Sequence, residues 1–352
     1  MSFDLADEAL NTLFQPLIDG SLQWPAEGGV LFLRARTGAA LRDNAGPGLV
    51  CEQEFKPVAN ELIRAGLTTI ELDALEPSRR FALVLVLPPR QRQEARALLA
   101  QAVARCAPGG RVLASMRNDE GARTGEDDLA LIAGGVSSLS RRKCRAFWTA
   151  PLQGPADPAL ADNWAQLDAP RKILDGRFTS RPGVFAWDRI DPASALLAAH
   201  LPANLAGHAA DLGAGYGYLS TELLARCPQI TAIDLYEAQS RALAMARENL
   251  RDARVPCEFS WHDVTTGLPR RYDVIVSNPP FHAQGREDRP DIGRRFIDVA
   301  AQSLNPSGSF WMVANRHLPY EQMLGQCFAE IRSVAQENGF KVVEARGPRQ
   351  QP

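Results

Sequence analysis

Short unbroken apolar runs alternate along this chain with longer amphipathic stretches. Val30 to Leu33 and Phe81 to Leu87 have the pattern of strands buried on both faces. Pro57 to Ala65 and Arg90 to Cys106 place apolar residues at helical spacing and predict helices. Pro108-Gly109-Gly110 then turns into a strand over Arg111 to Ser115. The same grammar returns later. A short apolar strand ends at Asp211-Leu212, and Leu219 to Ala225 opens a helix. Ile230 to Ile233 reads as a strand ending at Asp234, and Cys257 to Trp261 and Tyr272 to Ser277 as two more. A helix near Arg294 to Leu304 leads through Pro306-Ser307-Gly308 into the strand Ser309 to Val313. Strands alternating with helices predict an α/β fold built on a mostly parallel sheet.

The two halves repeat each other. Leu87-Pro88-Pro89, helix, Pro108-Gly109-Gly110, strand matches Asn278-Pro279-Pro280, helix, Pro306-Ser307-Gly308, strand. This is duplication of a whole domain. The first copy has no glycine-rich turn in the corresponding place, and Leu87 stands where the second has Asn278. We therefore expect a degenerate first domain over residues 1–165 and a catalytic one over 166–352. The Pro, Ala, Asp and Gly content of Pro151 to Asp175 reads as the linker, with Trp164 as an anchor. Asp191-Pro192 reads as a helix N-cap followed by proline at the first helical position, a reading favoured over a catalytic one.

The 352 residues suit two domains, and a formal net charge of −2 excludes a polybasic binder. Nucleic-acid contact would have to come from local patches. Six scattered cysteines form no C-x-x-C pair, which argues against a zinc site or disulfide scaffold and for reduced thiols in a cytoplasm. Met1 to Leu10 is acidic and unlike a signal peptide, and no apolar run is long enough to span a bilayer. A cytoplasmic protein with no membrane partner and no metal is expected.

The chemistry concentrates at two places. Asn278-Pro279-Pro280-Phe281 directly follows an apolar strand. The prolines stiffen the backbone and push Asn278 into an extended conformation. The Asn278 side-chain carbonyl and the Pro279 backbone carbonyl can then accept both N–H groups of an exocyclic amine. Phe281 can lie against the ring that carries it. Upstream, Asp211-Leu212-Gly213-Ala214-Gly215-Tyr216-Gly217 joins a strand to a helix. Its G-x-G-x-G spacing differs from the dinucleotide fingerprint. Glycines there allow close backbone approach to a cofactor. Asp234 follows the glycines by roughly 20 residues, the spacing of a ribose-binding acid. Glu237, one turn on, is the weaker candidate.

These motifs in this order resemble class I S-adenosylmethionine-dependent methyltransferases. The chain is most similar to the bacterial small-subunit ribosomal RNA guanine-N2 methyltransferases of the RsmC type. Pro182-Gly183-Val184-Phe185, Asp211 to Gly217, Ser277 to His282 with Gly285, Val313-Ala314-Asn315 and Leu318-Pro319-Tyr320 carry the resemblance. It implies two tandem Rossmann-like domains, each with a seven-stranded, mostly parallel sheet, the N-terminal one degenerate and used for substrate recognition or structure. It implies methyl transfer from S-adenosyl-L-methionine to the N2 amine of a guanine in 16S ribosomal RNA, within ribosome biogenesis. Transfer to 23S RNA, to a glutamine side chain or to adenine N6, and a non-enzymatic RNA-binding relic, are the alternatives.

The implied catalytic group is Asn278, Pro279, Pro280 and Phe281. Cofactor binding falls to Asp211, Gly213, Gly215, Gly217, Asp234, Asp263 and Asn278. In this set Asp211 fixes the loop and meets the ammonium, Asp234 binds ribose and Asp263 accepts from the adenine amine. Phe281, His282, Arg286 and Arg289 would contact substrate, with Arg294 and Arg295 in the same basic stretch. Local hydrogen bonding is expected of His262. Arg141, Arg142, Lys143 and Arg145, near Phe147 and Trp148, form a second basic cluster. The partner is ribosomal RNA or the small subunit, and a monomer is expected.

Overall fold

The structure is a computed structural model that describes residues 7–71, 74–280 and 290–349. The chain divides into two compact units, Met1–Ala169 and Pro170–Pro352.

The first unit holds the strands β1 (Val30–Leu33), β2 (Leu49–Glu52), β3 (Thr69–Ile70) and β4 (Phe81–Val86). It continues with β5 (Cys106–Arg117), β6 (Val136–Arg141) and β7 (Cys144–Thr149). They form one seven-stranded sheet in the order β3-β2-β1-β4-β5-β7-β6. Only the β5–β7 and β6–β7 pairings are antiparallel. Its helices are α1 (Glu8–Leu13), α2 (Gln15–Ile18), α3 (Ala39–Asn44) and α4 (Lys56–Arg64), then α5 (Arg92–Arg105), α6 (Ala122–Ala133) and α7 (Pro158–Ala165).

The second unit begins with a hairpin, β8 (Arg171–Ile173) and β9 (Phe178–Ser180). Its sheet comprises β10 (Ala206–Leu212), β11 (Gln229–Glu237), β12 (Cys257–Trp261), β13 (Tyr272–Ser277), β14 (Leu304–Asn315), β15 (Phe328–Glu337) and β16 (Phe340–Pro348). The order is β12-β11-β10-β13-β14-β16-β15, the order of the first sheet strand for strand. Its helices are α8 (Pro192–His200), α9 (Tyr218–Arg226), α10 (Ser240–Asn249), α11 (Pro290–Gln302) and α12 (Glu321–Cys327).

Both faces of each sheet are covered, which explains the unbroken apolar runs. Val274 and Val276 enter one core cluster while Ile275, between them, enters the other. Leu31 and Leu33 likewise oppose Val30 and Phe32. Leu33 pairs with Val86 in the first sheet as Leu212 pairs with Ser277 in the second. Leu87 and Asn278 are therefore equivalent positions, each followed by two prolines.

The expected linker is a correction. Residues 151–169 belong to the first unit, where Asp157 caps α7 by accepting from Leu160 N at 2.9 Å. Trp164 is buried in the core, with the Arg96 guanidinium 4.5 Å from the centre of its ring. Residues 171–180 form the hairpin of the second unit.

In the second unit β10 and β13 are neighbours, although β11 and β12 intervene in the chain. Their carboxyl ends mark the switch point where open α/β sheets form a crevice. On α11, Gly293 packs against buried Tyr320, and an added Cβ would come within 2.0 Å of the tyrosine hydroxyl. Among the described residues, no helix is long and apolar enough to cross a membrane.

Candidate methyl-transfer site

The glycine loop leaves β10 at Leu212 and enters α9 at Tyr218. Gly213 N donates to Tyr236 O at 2.8 Å, and Gly217 N to Ala214 O at 2.9 Å, so the loop is a tight turn. Gly215 has φ of +57°, and a Cβ there would meet nothing within 4 Å. Its face is open to a ligand. Gly217, at φ of +87°, begins α9 where a Cβ would lie 3.2 Å from Leu250 and 3.3 Å from Ala246. A side chain is excluded there by backbone strain and by crowding together.

Asp211 sits beneath this loop and is fully buried. Ser220 Oγ donates to its Oδ2 at 2.7 Å, whereas Oδ1 has no hydrogen-bond partner. Burial pushes its carboxyl up to about 7, with the Ser220 hydroxyl pulling the other way. An orphaned carboxylate oxygen under a glycine turn fits a cationic ligand group.

The two candidate acids, Asp234 and Glu237, sit differently. The strand does not end at Asp234; β11 runs on through Leu235 and Tyr236 to Glu237. Asp234 is buried in mid-strand, 2.8 Å from His208 Nε2, and accepts from Tyr272 Oη at 2.7 Å. Arg270 lies 3.5 Å away. That carboxylate is consumed by structure. Glu237 instead reaches the open end of the sheet. Its Oε2 accepts from Gly215 N at 2.7 Å and its Oε1 from Gln239 N at 2.7 Å. Burial raises its carboxyl above the ordinary range, and these backbone donors oppose the shift.

At the end of β13, Ser277 Oγ donates to Leu212 O at 2.7 Å and ties the two motifs together. Asn278 Nδ2 donates to Asp191 Oδ2 at 2.9 Å and to Ser194 Oγ at 2.8 Å. Asn278 Oδ1 is buried and has no partner. A buried carbonyl oxygen without a donor costs about 1–3 kcal/mol unless a ligand supplies one. Asp191 also caps α8 as read from sequence, accepting from Ser194 N at 2.9 Å. Its contact with Asn278 was not foreseen.

The remaining candidates divide. Pro279 is buried and Pro280 exposed. Asp263 Oδ1 accepts from Thr265 N and Oγ1 at 3.0 and 2.6 Å, holding the turn after β12. His262 Nε2 lies 2.7 Å from Gly267 O, a local bond. Arg295 is committed to Thr265 O at 2.7 Å and to Asp298, so it is not a spare phosphate contact; Arg294 is exposed. Phe281, His282, Gly285, Arg286 and Arg289 lie outside the described residues. In the first unit Arg141, Arg142 and Arg145 bond Gln15, Glu8 and Glu126, and Phe147 is buried in the core.

Sequence reasoning missed a clamp over the loop. Asn249, at the end of α10, accepts from Thr179 N at 2.6 Å and donates to Thr179 O at 2.9 Å and Tyr216 O at 2.8 Å. One amide thus strings the β8–β9 hairpin to the glycine turn. Tyr216 Oη donates to Arg189 O at 3.0 Å, so the aromatic residue between the glycines holds the segment that leads into α8.

The model of the methyltransferase small domain family matches residues 175–344. A ribosomal RNA small subunit methyltransferase C of Pseudomonas paraeruginosa is 31% identical over 276 residues, 78% of this chain and 82% of that protein. The chain belongs to the ribosomal RNA small subunit methyltransferase C family. A further member, from Psychromonas ingrahamii, is 27% identical over 80% of this chain and 81% of its own length. A T. thermophilus 16S rRNA N2 methyltransferase of this family, solved with AdoMet and guanosine, superposes with a TM-score of 0.79. At 23% identity it covers 98% of this chain and 93% of its own, and it shares the tandem Rossmann-like fold.

In this methyltransferase the first unit carries other residues at the equivalent positions. Arg34, at φ of +54°, follows β1 where Gly213 follows β10, and its guanidinium pairs with Glu94 at 2.8 Å. Gln53 replaces Glu237 and donates to Ala35 O at 2.7 Å. Asn278 has become Leu87, buried in the core.

Proposed function

We propose that this methyltransferase moves a methyl group from S-adenosyl-L-methionine to the exocyclic N2 amine of a guanine in 16S ribosomal RNA, in the cytoplasm. The relatives are named for the small ribosomal subunit, and the T. thermophilus protein was solved with AdoMet and guanosine. One observation carries the reading: Asn278 Oδ1 is a buried acceptor without a donor, at the end of β13.

S-adenosyl-L-methionine, held in the glycine cradle, supplies an electrophilic methyl on its sulfonium. Gly213, Gly215 and Gly217 let backbone approach it, Glu237 accepts from ribose hydroxyls, and Asp211 faces positive charge. Asn278 Oδ1 and Pro279 O accept the two N–H groups of the guanine amine. That holds the nitrogen lone pair out of the ring plane and toward the methyl. The same two oxygens stabilise the positive charge that grows on nitrogen as the N–C bond forms and the S–C bond breaks. The amine proton then leaves to water, so no dedicated base is needed. Phe281 is assigned to stack on the base, with His282, Arg286 and Arg289 as RNA contacts.

The test is tritiated S-adenosyl-L-methionine with 30S subunits, 50S subunits, naked rRNA and release factor, followed by nucleoside analysis. N2-methylguanosine from 16S RNA is the expected product. Label in release factor, or in 23S RNA alone, overturns the assignment.

A further inference from the structure

Asp191 and Ser194 stand at the start of α8, yet both bond the amide nitrogen of Asn278. Capping α8 does not require this, because Asp191 Oδ2 already accepts from Ser194 N. A carboxamide has two orientations of nearly the same shape, related by exchanging its oxygen and its NH2. In the observed one, both N–H groups are taken and the oxygen is left for a ligand. In the other, the oxygen would face a carboxylate that has no proton to give. The amide would then turn two donors toward an incoming amine that brings only donors, and no clamp would form.

The geometry points to Asp191 as a positioning residue for the transfer: its carboxylate fixes the Asn278 amide in its accepting orientation, while the Ser194 hydroxyl, able to donate or accept, holds that end of the amide without choosing its sense. The negative charge of Asp191 also polarises that amide, so its oxygen becomes a stronger acceptor as charge develops on the substrate nitrogen. The inference rests on the reading of Asn278 as the amine acceptor. The first unit separates orienting from capping. Asp7 caps α1 there, accepting from Leu10 N at 3.1 Å, but position 87 is leucine and Asp7 pairs with Arg36 at 2.8 Å instead.

Three variants test it in the tritium assay, with cofactor Kd and thermal unfolding as controls. Asp191→Ser keeps a good cap but is too short to reach Asn278. Its kcat is expected to fall about 10- to 100-fold, with KM for RNA and cofactor Kd unchanged. Asn278→Asp keeps an acceptor oxygen but loses the N–H groups and faces Asp191 with like charge. It is expected to lose about 100-fold or more in kcat. Adding Asp191→Asn to Asn278→Asp returns an N–H to the pair in the reverse sense, and should recover about tenfold of that loss. Asp191→Ser at parental kcat, or no recovery in the double variant, overturns the positioning role. Asn278→Ala separates the two claims: near-normal turnover there would mean that the amine acceptor itself was misassigned.

Discussion

Gln53 and Glu237 occupy one position in two copies of the same sheet. Gln53 directly follows β2 and Glu237 ends β11, and each accepts from the backbone N–H two residues on, Phe55 at 2.9 Å and Gln239 at 2.7 Å. Glu237 turns its second oxygen to Gly215 N, whereas Gln53 turns its NH2 to Ala35 O. The amide donates to its own loop, whereas the carboxylate only accepts from its loop. Calorimetric titration should therefore find one equivalent of S-adenosyl-L-methionine per chain. Glu237→Ala should abolish that binding, and Gln53→Ala should leave the stoichiometry at one.

Exchanging Asp234 and Glu237 in the functional scheme has opposite consequences for two variants. Glu237→Gln should weaken cofactor binding by about tenfold or more, through the loss of a charged acceptor, with little change in unfolding temperature. Asp234→Ala should do the reverse. It removes the acceptor that Tyr272 and His208 share, leaving the Tyr272 hydroxyl bonded to that of Tyr236, and should cost about 3 kcal/mol of stability. Cofactor affinity of the folded fraction should hold. Equal loss of affinity in both would restore Asp234 as a ligand.

Asp211 predicts a pH dependence of stability. Its carboxyl titrates at about 7 in the folded chain against an ordinary 3.8, because burial disfavours the charged form. The folded state thus binds this proton more tightly than the unfolded state. The resulting stabilisation is full below about pH 4 and is lost as pH rises through about 7. Denaturant unfolding between pH 4 and 8 should show a descending contribution of up to about 1.4 kcal/mol per pH unit. The contribution should be missing in Asp211→Asn. A positively charged ligand favours the ionised form, so saturating S-adenosyl-L-methionine should flatten the slope.

Asn249 makes a compact test of the clamp over the glycine turn. Asn249→Ala removes three bonds, two to Thr179 and one to Tyr216. About 2–3 kcal/mol of stability should go with them. Cofactor affinity should fall as well, since the Tyr216 carbonyl lies inside the G-x-G-x-G turn. Asn249→Asp should be no milder, because it leaves a carboxylate facing two carbonyl oxygens.

Local signals carried much of the architecture. The duplicated strand–Pro-Pro–helix order exposed the repeat, and the sheets match strand for strand. The glycine turn and Asn278 could be read because backbone strain and proline stiffness are properties of neighbouring residues. What stayed hidden depends on distant partners. Asp234 interrupts an apolar run and looks like a strand end, but its burial is stabilised by His208 and Tyr272, 26 and 38 residues away in sequence. The second contact of Asp191 spans 87 residues. The stretch around Trp164 has linker-like composition, although Asp157-Pro158 is a helix start, and Arg96 supplies the stacking partner from another helix.

Gly293 leaves no slack between α11 and Tyr320. The tyrosine is fully enclosed and has nowhere to retreat, so even a single methyl at position 293 must shift the helix as a wedge shifts a door. Three residues along that helix, Phe296 lies 3.6 Å from where a side chain on Gly213 would begin. Bulk added at this remote point would be transmitted as pressure on the cofactor turn, making position 293 a handle for slowing the enzyme without altering any group that meets the RNA.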